Sequence, residues 1–412
     1  MEHRAGRSFR TLLVALGIDN FGSGLVLPIT MLYLVRVVGI DVGVAGVLVA
    51  GGSVVGLAVP ALASRGVDSV GPRVLVIGSQ GIQAIGMATF FGADGPVMAT
   101  AGIVLSAAGL QLFYSSMSAL VADVVEDGPK DHAFAMVTRV RGASFGLGAL
   151  AGGALASLGD PAWMRAGVAF NGVTLILALS LLSLGVHGQR RPAGRDAPGA
   201  DTAPARVLSS RPFIGLMVVA FCSTLPIDFF LSGNAIYVTD YLGMDPWVIG
   251  FGVALLTVFS SVFGSVAVRL TDRYTRITTQ MIAVVLFLVW ALVSAAAVHL
   301  PSGVRTATVL VLAVLIAFAN VVPMARLAAM VEATAPKSHK GRFLAVFQYP
   351  FSIAQVVGPG LTSLLAVASW VPWVIIAVLL VVALLVLGWL RSALPHHAVR
   401  VEPISARMSA HD

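Results

Sequence analysis

The sequence predicts an all-α integral membrane protein with twelve transmembrane helices, arranged as two pseudo-symmetric six-helix bundles. Three observations carry this. Of the 412 residues, 58% are hydrophobic and 11% charged, whereas about a quarter of a soluble domain is charged. Apolar runs longer than the roughly 18 residues that cross a hydrocarbon core recur along the whole length, and the mean hydropathy is +0.93. Residues 16–24, LGIDNFGSG, return 209 positions later as residues 225–233, LPIDFFLSG, with six of nine positions identical.

The first span, 11–35, follows a short basic arm without a small-residue cleavage site, so it is expected to be retained. Five more follow at 42–64, 73–93, 97–122, 133–158 and 163–186. None alternates apolar and polar residues as barrel strands do, so all are helices, and their many glycines suit close packing in lipid. Residues 188–211, rich in Pro, Gly, Ala and charge, cannot bury a core and predict a cytoplasmic linker. The second set of spans is 212–239, 247–268, 277–298, 305–328, 342–367 and 370–391. The expected organisation is an N-terminal bundle over 1–187, the linker, a C-terminal bundle over 212–391 and a cytoplasmic tail over 392–412.

With both termini in the cytoplasm, 23 of the 26 Lys and Arg residues fall in inner segments, leaving Arg36, Arg165 and Arg305 outside. The net charge of +7 then reflects basic loops facing anionic lipid, and no basic stretch interleaves with stacking aromatics as a nucleic-acid surface would. Cys222 is the only cysteine, so no intrachain disulfide forms. The eight histidines occupy tails, loops and helix ends, away from metal-ligand spacing. No GxxxxGK[ST] loop occurs, which removes P-loop ATP hydrolysis. No metal, cofactor or enzyme activity is expected.

Two carboxylates stand inside apolar spans, Asp19 and Asp228, at equivalent points of the repeat. Each costs about 2.5–3.5 kcal/mol to insert when ionised, and intramembrane acids commonly mark proton or substrate paths. The repeat extends to Gln111 and Asn320, again 209 apart, and to the following loops, where Pro129-Lys130 and His132 return as Pro336-Lys337 and His339. Such duplication points to a binding site between repeats.

The loops SRGVDSVGPR and VRLTDRYTRI each place an acid before a base, Asp68 with Arg73 and Asp272 with Arg273 and Arg276. They resemble motif A, GxxxD(R/K)xG(R/K)(R/K), of the major facilitator superfamily, with departures at Ser64, Ser69, Pro72, Val268 and Thr275. The run FAMVTRVRGASFGLGALAGGAL resembles motif C of that family's twelve-helix drug and proton antiporter branch, with Ala149 where the motif has Pro; Gly358, Pro359 and Gly360 match in the eleventh span. The motif B arginine of the fourth span is missing, so a cation for Asp19 must come from Arg139 or Arg141; Arg139 is the expected partner, while Arg141 reads equally as a lipid-phosphate anchor.

The resemblance implies the major facilitator fold in the cell membrane, alternating access, and a cavity lined by the first, fourth, seventh and tenth helices. Proton coupling is expected of the embedded acids Asp19 and Asp228, with Arg139 as the cation. Gating falls to Asp68, Arg73, Asp123, Asp272, Arg273 and Arg276, with Glu332 a looser match. Asn20, Phe21, Tyr33, Gln111, Tyr114, Phe229, Phe230, Asn234, Tyr237, Asn320 and Tyr349 are the cavity candidates, suited to an amphipathic molecule. A low-dielectric surrounding favours a neutral carboxyl, as proton-coupled transport requires. The expected function is export of a small amphipathic organic compound by proton antiport, multidrug efflux included. The alternatives are proton-coupled uptake of a nutrient and a non-transporting sensor or assembly protein. Expected partners are the substrate, protons and lipids, with the chain working as a monomer.

Overall fold

A computed structural model describes residues 2–59, 70–125, 130–186, 210–271, 273–321, 323–334, 343 and 346–395. Among them the chain is all helical, and each expected span is occupied by helix in its described part. The longer elements are α1 (Glu2–Val26), α2 (Thr30–Arg36), α3 (Val42–Gly56), α4 (Pro72–Phe91), α5 (Pro96–Val124), α6 (Lys130–Ser157) and α7 (Pro161–Gly185). They continue with α8 (Arg211–Ser232), α9 (Trp247–Thr271), α10 (Arg276–Ala296), α11 (Ser302–Val321), α12 (Pro323–Thr334), α13 (Tyr349–Ser363) and α14 (Val371–Ala393). Eight described helical spans are long and apolar enough to cross a membrane, and Val42–Gly56 and Trp247–Ser260 are shorter apolar helices.

The helix starts follow from local chemistry. Pro72, Pro96 and Pro161 sit at the first positions of α4, α5 and α7, where a missing N–H costs nothing. Asp41, Asp160 and Thr275 cap α3, α7 and α10 by accepting from the amides of Gly43, Ala162 and Thr278. Gly71, kept from the loop motif, holds φ +87° just before α4, a conformation L side chains rarely adopt. Pro226 lies inside α8, two residues before Asp228, where it removes a helical hydrogen bond. A π-helical turn, Tyr237–Tyr241, follows.

The chain forms two compact units. The first comprises Met1–Ala200, Phe229–Ser261 and Val356–Ser369. Within it α1 packs on α6 and α7, α4 on α5 and α7, and α3 on α5. These contacts are backbone-close because glycines make room: a Cβ on Gly148 or Gly152 would overlap the carbonyls of Phe21 or Leu25 on α1. Between α4 and α5 the same holds for Gly86, Gly102 and Gly109, where a Cβ would sit within 2.9 Å of backbone atoms of Ser106, Phe90 and Ser79. Leu12, Leu16, Phe113, Leu120 and Leu182 form a buried apolar cluster below the polar groups described next.

The second unit comprises Asp201–Asp228, Val262–Gln355 and Trp370–Asp412. Its described part is centred on α10, which packs on α11, α12 and α14. Trp290 and Trp373, both buried, meet edge to face at 5.2 Å.

Candidate functional site

The first unit holds a cavity of about 200 Å³ that takes side chains from α1 through α7. Its floor is polar. Asp19 and Asn20 sit two-thirds of the way along α1, both buried, where the close approach of α1 to α7 depends on Gly22: a Cβ there would strike Thr174 and Asn171. Asn20 donates through Nδ2 to the Leu16 carbonyl at 2.8 Å and reaches Asp19 Oδ2 at 3.4 Å. The other Asp19 oxygen, Oδ1, is buried with no hydrogen-bond partner among the described residues.

Arg141, on α6, stands across from them. Its Nε donates to Asn20 Oδ1 at 3.3 Å, and its guanidinium lies 5.4 Å from the Phe113 ring and 5.2 Å from the Tyr114 ring. Those distances are cation–π contacts, which hold the planar group in place. Asp19 and Arg141 interact electrostatically but form no ion pair among the described residues. Gln80, wholly buried on α4, turns its side-chain amide to the Asp19 carboxyl, outside ideal hydrogen-bond geometry. Gln83, Ser106 and Asn171 add polar atoms to the wall, and Met87, Phe90, Ile103, Leu110, Phe145 and Leu175 supply apolar surface.

Of the expected cavity residues, Asn20 and Tyr114 line this space. Tyr33 is instead fully buried, donating to the Phe90 carbonyl at 3.1 Å and packed on the Phe90 ring. Phe21 packs edge to face on Phe170, and Gln111 lies against Gly56. Phe229, Phe230, Asn234 and Tyr237 are buried in the first unit, Tyr237 stacked on Tyr241 at 6.2 Å. Tyr349 is exposed. Asn320 belongs to a separate space of about 10 Å³ in the second unit, beside Ser223 and Gln280, which share a 3.1 Å hydrogen bond.

Arg139, expected beside Asp19, is exposed on α6 and lines no part of the cavity; Arg141 takes that place. Two residues turn an α-helix by about 200°, so only one of the pair can face inward. Asp228 is partly buried in α8 and lines neither space. Of the gating residues, Asp68 and Asp272 lie outside the described residues, as does the side chain of Glu332. Arg73 donates to the Ser183 carbonyl, Arg273 lies 5.0 Å from the Tyr274 ring, and Asp123 and Arg276 are half-buried. Gln80, Gln83, Ser106 and Asn171 are additions that the structure alone brings to the site. Their signal in the chain is a glutamine pair three residues apart inside the third apolar span and a lone asparagine in the sixth.

The motif C-like residues divide by face. Gly148 and Gly152 meet α1, whereas Ala149 and Gly153 meet Gly250 on α9, all within the first unit. The same unit holds an ion pair of 2.7 Å between Arg36 and Asp240, and a 2.6 Å hydrogen bond from Tyr241 to the Leu365 carbonyl. Among the described residues no three of His, Cys, Asp and Glu gather as metal ligands would.

Residues 12–233 and 216–408 match the family model described as Major Facilitator Superfamily. No curated protein matches the chain in sequence. Among solved structures, a point mutant of the nucleoside transporter NupG is similar at TM-score 0.80 and 11% identity, covering 93% of this chain and 99% of that one. A POT family transporter in complex with 5-aminolevulinic acid is similar at 0.70 and 13%, covering 94% and 96%. A bacterial homolog of the human lysosomal transporter Spinster is similar at 0.70 and 14%, covering 98% and 100%. At these identities the likeness is one of fold.

Proposed function

The chain belongs to the major facilitator superfamily, and on that premise we propose that it is a proton-coupled secondary active transporter that exports a small amphipathic organic compound by antiport across the cell membrane, with both termini cytoplasmic. The observation that carries proton coupling is Asp19, a buried carboxyl in the wall of a cavity whose remaining charge is Arg141. A membrane-embedded acid is retained at a cost of a few kcal/mol, and a carboxyl that alternates between charged and neutral forms can tie proton movement to occupancy. Each proton entering down a gradient supplies about 1.4 kcal/mol per pH unit, enough for roughly tenfold concentration. The glycine seam along Gly148, Gly152 and Gly153, packed on α1 and on Gly250, supports the antiport reading by the likeness of its run to motif C. Gating by the two acid–base loops, and a share of coupling for Asp228, belong to the same proposal.

A second reading, proton-coupled uptake, is favoured by Arg141 itself. A fixed cation beside the coupling acid suits an occupied state that holds a proton and a negatively charged group together.

The test is transport in proteoliposomes with an imposed pH gradient, comparing wild type with Asp19→Asn. The variant should lose gradient-driven accumulation by tenfold or more while keeping substrate exchange at equal pH. Accumulation that still follows the gradient in Asp19→Asn removes this residue from coupling.

A further inference from the structure

We propose that the cavity of the first unit is an organic-anion site, in which Arg141 binds the carboxylate of a small substrate with an apolar body. This rests on that cavity being the substrate site.

The two charged groups lining the cavity are not equally available. Asp19 is 5% exposed and its Oδ1 is buried, so a substrate ammonium has little of the carboxylate to meet. Arg141 spends only its Nε on the protein, toward Asn20 at 3.3 Å. Its two terminal nitrogens make no hydrogen bond among the described residues, and neither is buried without a partner. A guanidinium so placed offers parallel N–H donors, which match a carboxylate in bidentate geometry. The rings of Phe113 and Tyr114 lie 5.4 and 5.2 Å from its carbon. They restrain the fork without supplying a negative charge. An unpaired cation in a low-dielectric wall is costly, and an incoming anion removes that cost.

The rest of the lining selects the body of the ligand. Met87, Ile103, Leu110 and Phe145 offer apolar surface to it. A volume of about 200 Å³ is below the usual range for drug-sized pockets, about 300–1,000 Å³. The class that fits is a compact aromatic or branched aliphatic monocarboxylate.

Asp19 is the competing counter-charge for Arg141. Around it, α4 presents Gln80 and α6 presents Arg141. The other charged groups on packed elements are turned elsewhere: Arg73 of α4 donates to the Ser183 carbonyl, Asp123 of α5 is off the cavity, and Arg139 of α6 and Arg165 of α7 are exposed. Neutral Asp19 leaves Arg141 to the substrate, whereas ionised Asp19 shares it. Proton and anion therefore act on the same guanidinium, so occupancy of the cavity depends on the charge of Asp19.

The experiment measures binding to the purified full-length protein by thermal shift with three probes of one shape: 3-phenylpropanoate, 3-phenylpropanamide and 3-phenylpropylamine. Wild type should bind the carboxylate at least tenfold tighter than either partner. Asp19→Asn should tighten the carboxylate several-fold. Arg141→Gln should erase the preference, with Arg141→Lys retaining part of it. Tightest binding of the amine, no binding of any probe at millimolar concentration, or an unchanged preference in Arg141→Gln overturns the proposal. The wild-type series decides even where a variant does not fold. Equilibrium binding needs no gradient, so a carboxylate preference without gradient-driven transport retires the coupling and leaves the anion site. Coupled transport without that preference does the reverse.

Discussion

At the scale of the residue, the cavity floor turns on side chains that are buried for reasons other than packing. Gln80 is the clearest case, because it is wholly buried and its side-chain amide turns to the Asp19 carboxyl outside ideal hydrogen-bond geometry. A buried amide whose hydrogen bond is poorly formed recovers little of its desolvation cost, about 1–3 kcal/mol, so Gln80→Leu should leave thermal stability unchanged or raise it. If Gln80 serves Asp19, the same variant should lose gradient-driven transport by about tenfold. Full transport at raised Tm would make it a packing residue only. Asp19 is legible from its chain position, because a carboxylate inside an apolar span is expensive wherever the helix goes. Arg141 and Arg139 are not separable that way. Both lie two turns into one helix, and choosing between them needs the rotation of α6 about its axis, which is set by what α1 and α5 present to it.

At the scale of the element, helix contacts in the first unit are governed by where a Cβ can exist. Gly152 abuts the Leu25 carbonyl on α1, while Gly78 on α4 has nothing within 4 Å of its Cβ position. Gly152→Ala should lower Tm by several degrees through separation of α1 and α6. Gly78→Ala should raise stability by about 0.5–1 kcal/mol, the helix-propensity gain alone. Equal Tm for the two variants would show that proximity does not control the α1–α6 contact. The glycine-rich run of α6 is legible as a packing seam, and the helix starts are legible from Pro72, Pro96, Pro161 and their caps. The division of that seam is not, since adjacent positions such as Gly152 and Gly153 meet different helices.

At the scale of the whole molecule, residues far apart in sequence meet within the first unit. Arg36 and Asp240, 204 positions apart, pair at 2.7 Å with side chains 38% and 32% exposed. A pair that exposed contributes about 0–1 kcal/mol to stability, so Asp240→Asn should change Tm little. The same energy applied to an equilibrium between conformations is worth up to about fivefold. In a Cys222→Ser background, Asp240→Asn should raise maleimide labelling of a cysteine at Thr30, which lines the cavity, several-fold. Unchanged labelling would reduce the pair to a surface contact.

Hydropathy, the placement of Arg and Lys and the repeat of LxIDxFxSG determined by themselves an all-helical membrane protein, because bilayer thickness and backbone hydrogen bonding in lipid act on composition and length alone. The same signals marked Asp19, Asn20 and Tyr114 for the cavity. Tertiary structure alone decided that α4 and α7 contribute Gln83 and Asn171 to it, that Gln80 lies behind Asp19, that Arg141 and not Arg139 faces the acid, and that Tyr33 is a core residue. Which face of an apolar helix turns inward is not written in its hydropathy, since lipid and protein interior are alike apolar. It is fixed by the close approach of neighbouring helices at their glycines and by the polar groups that those approaches bring together.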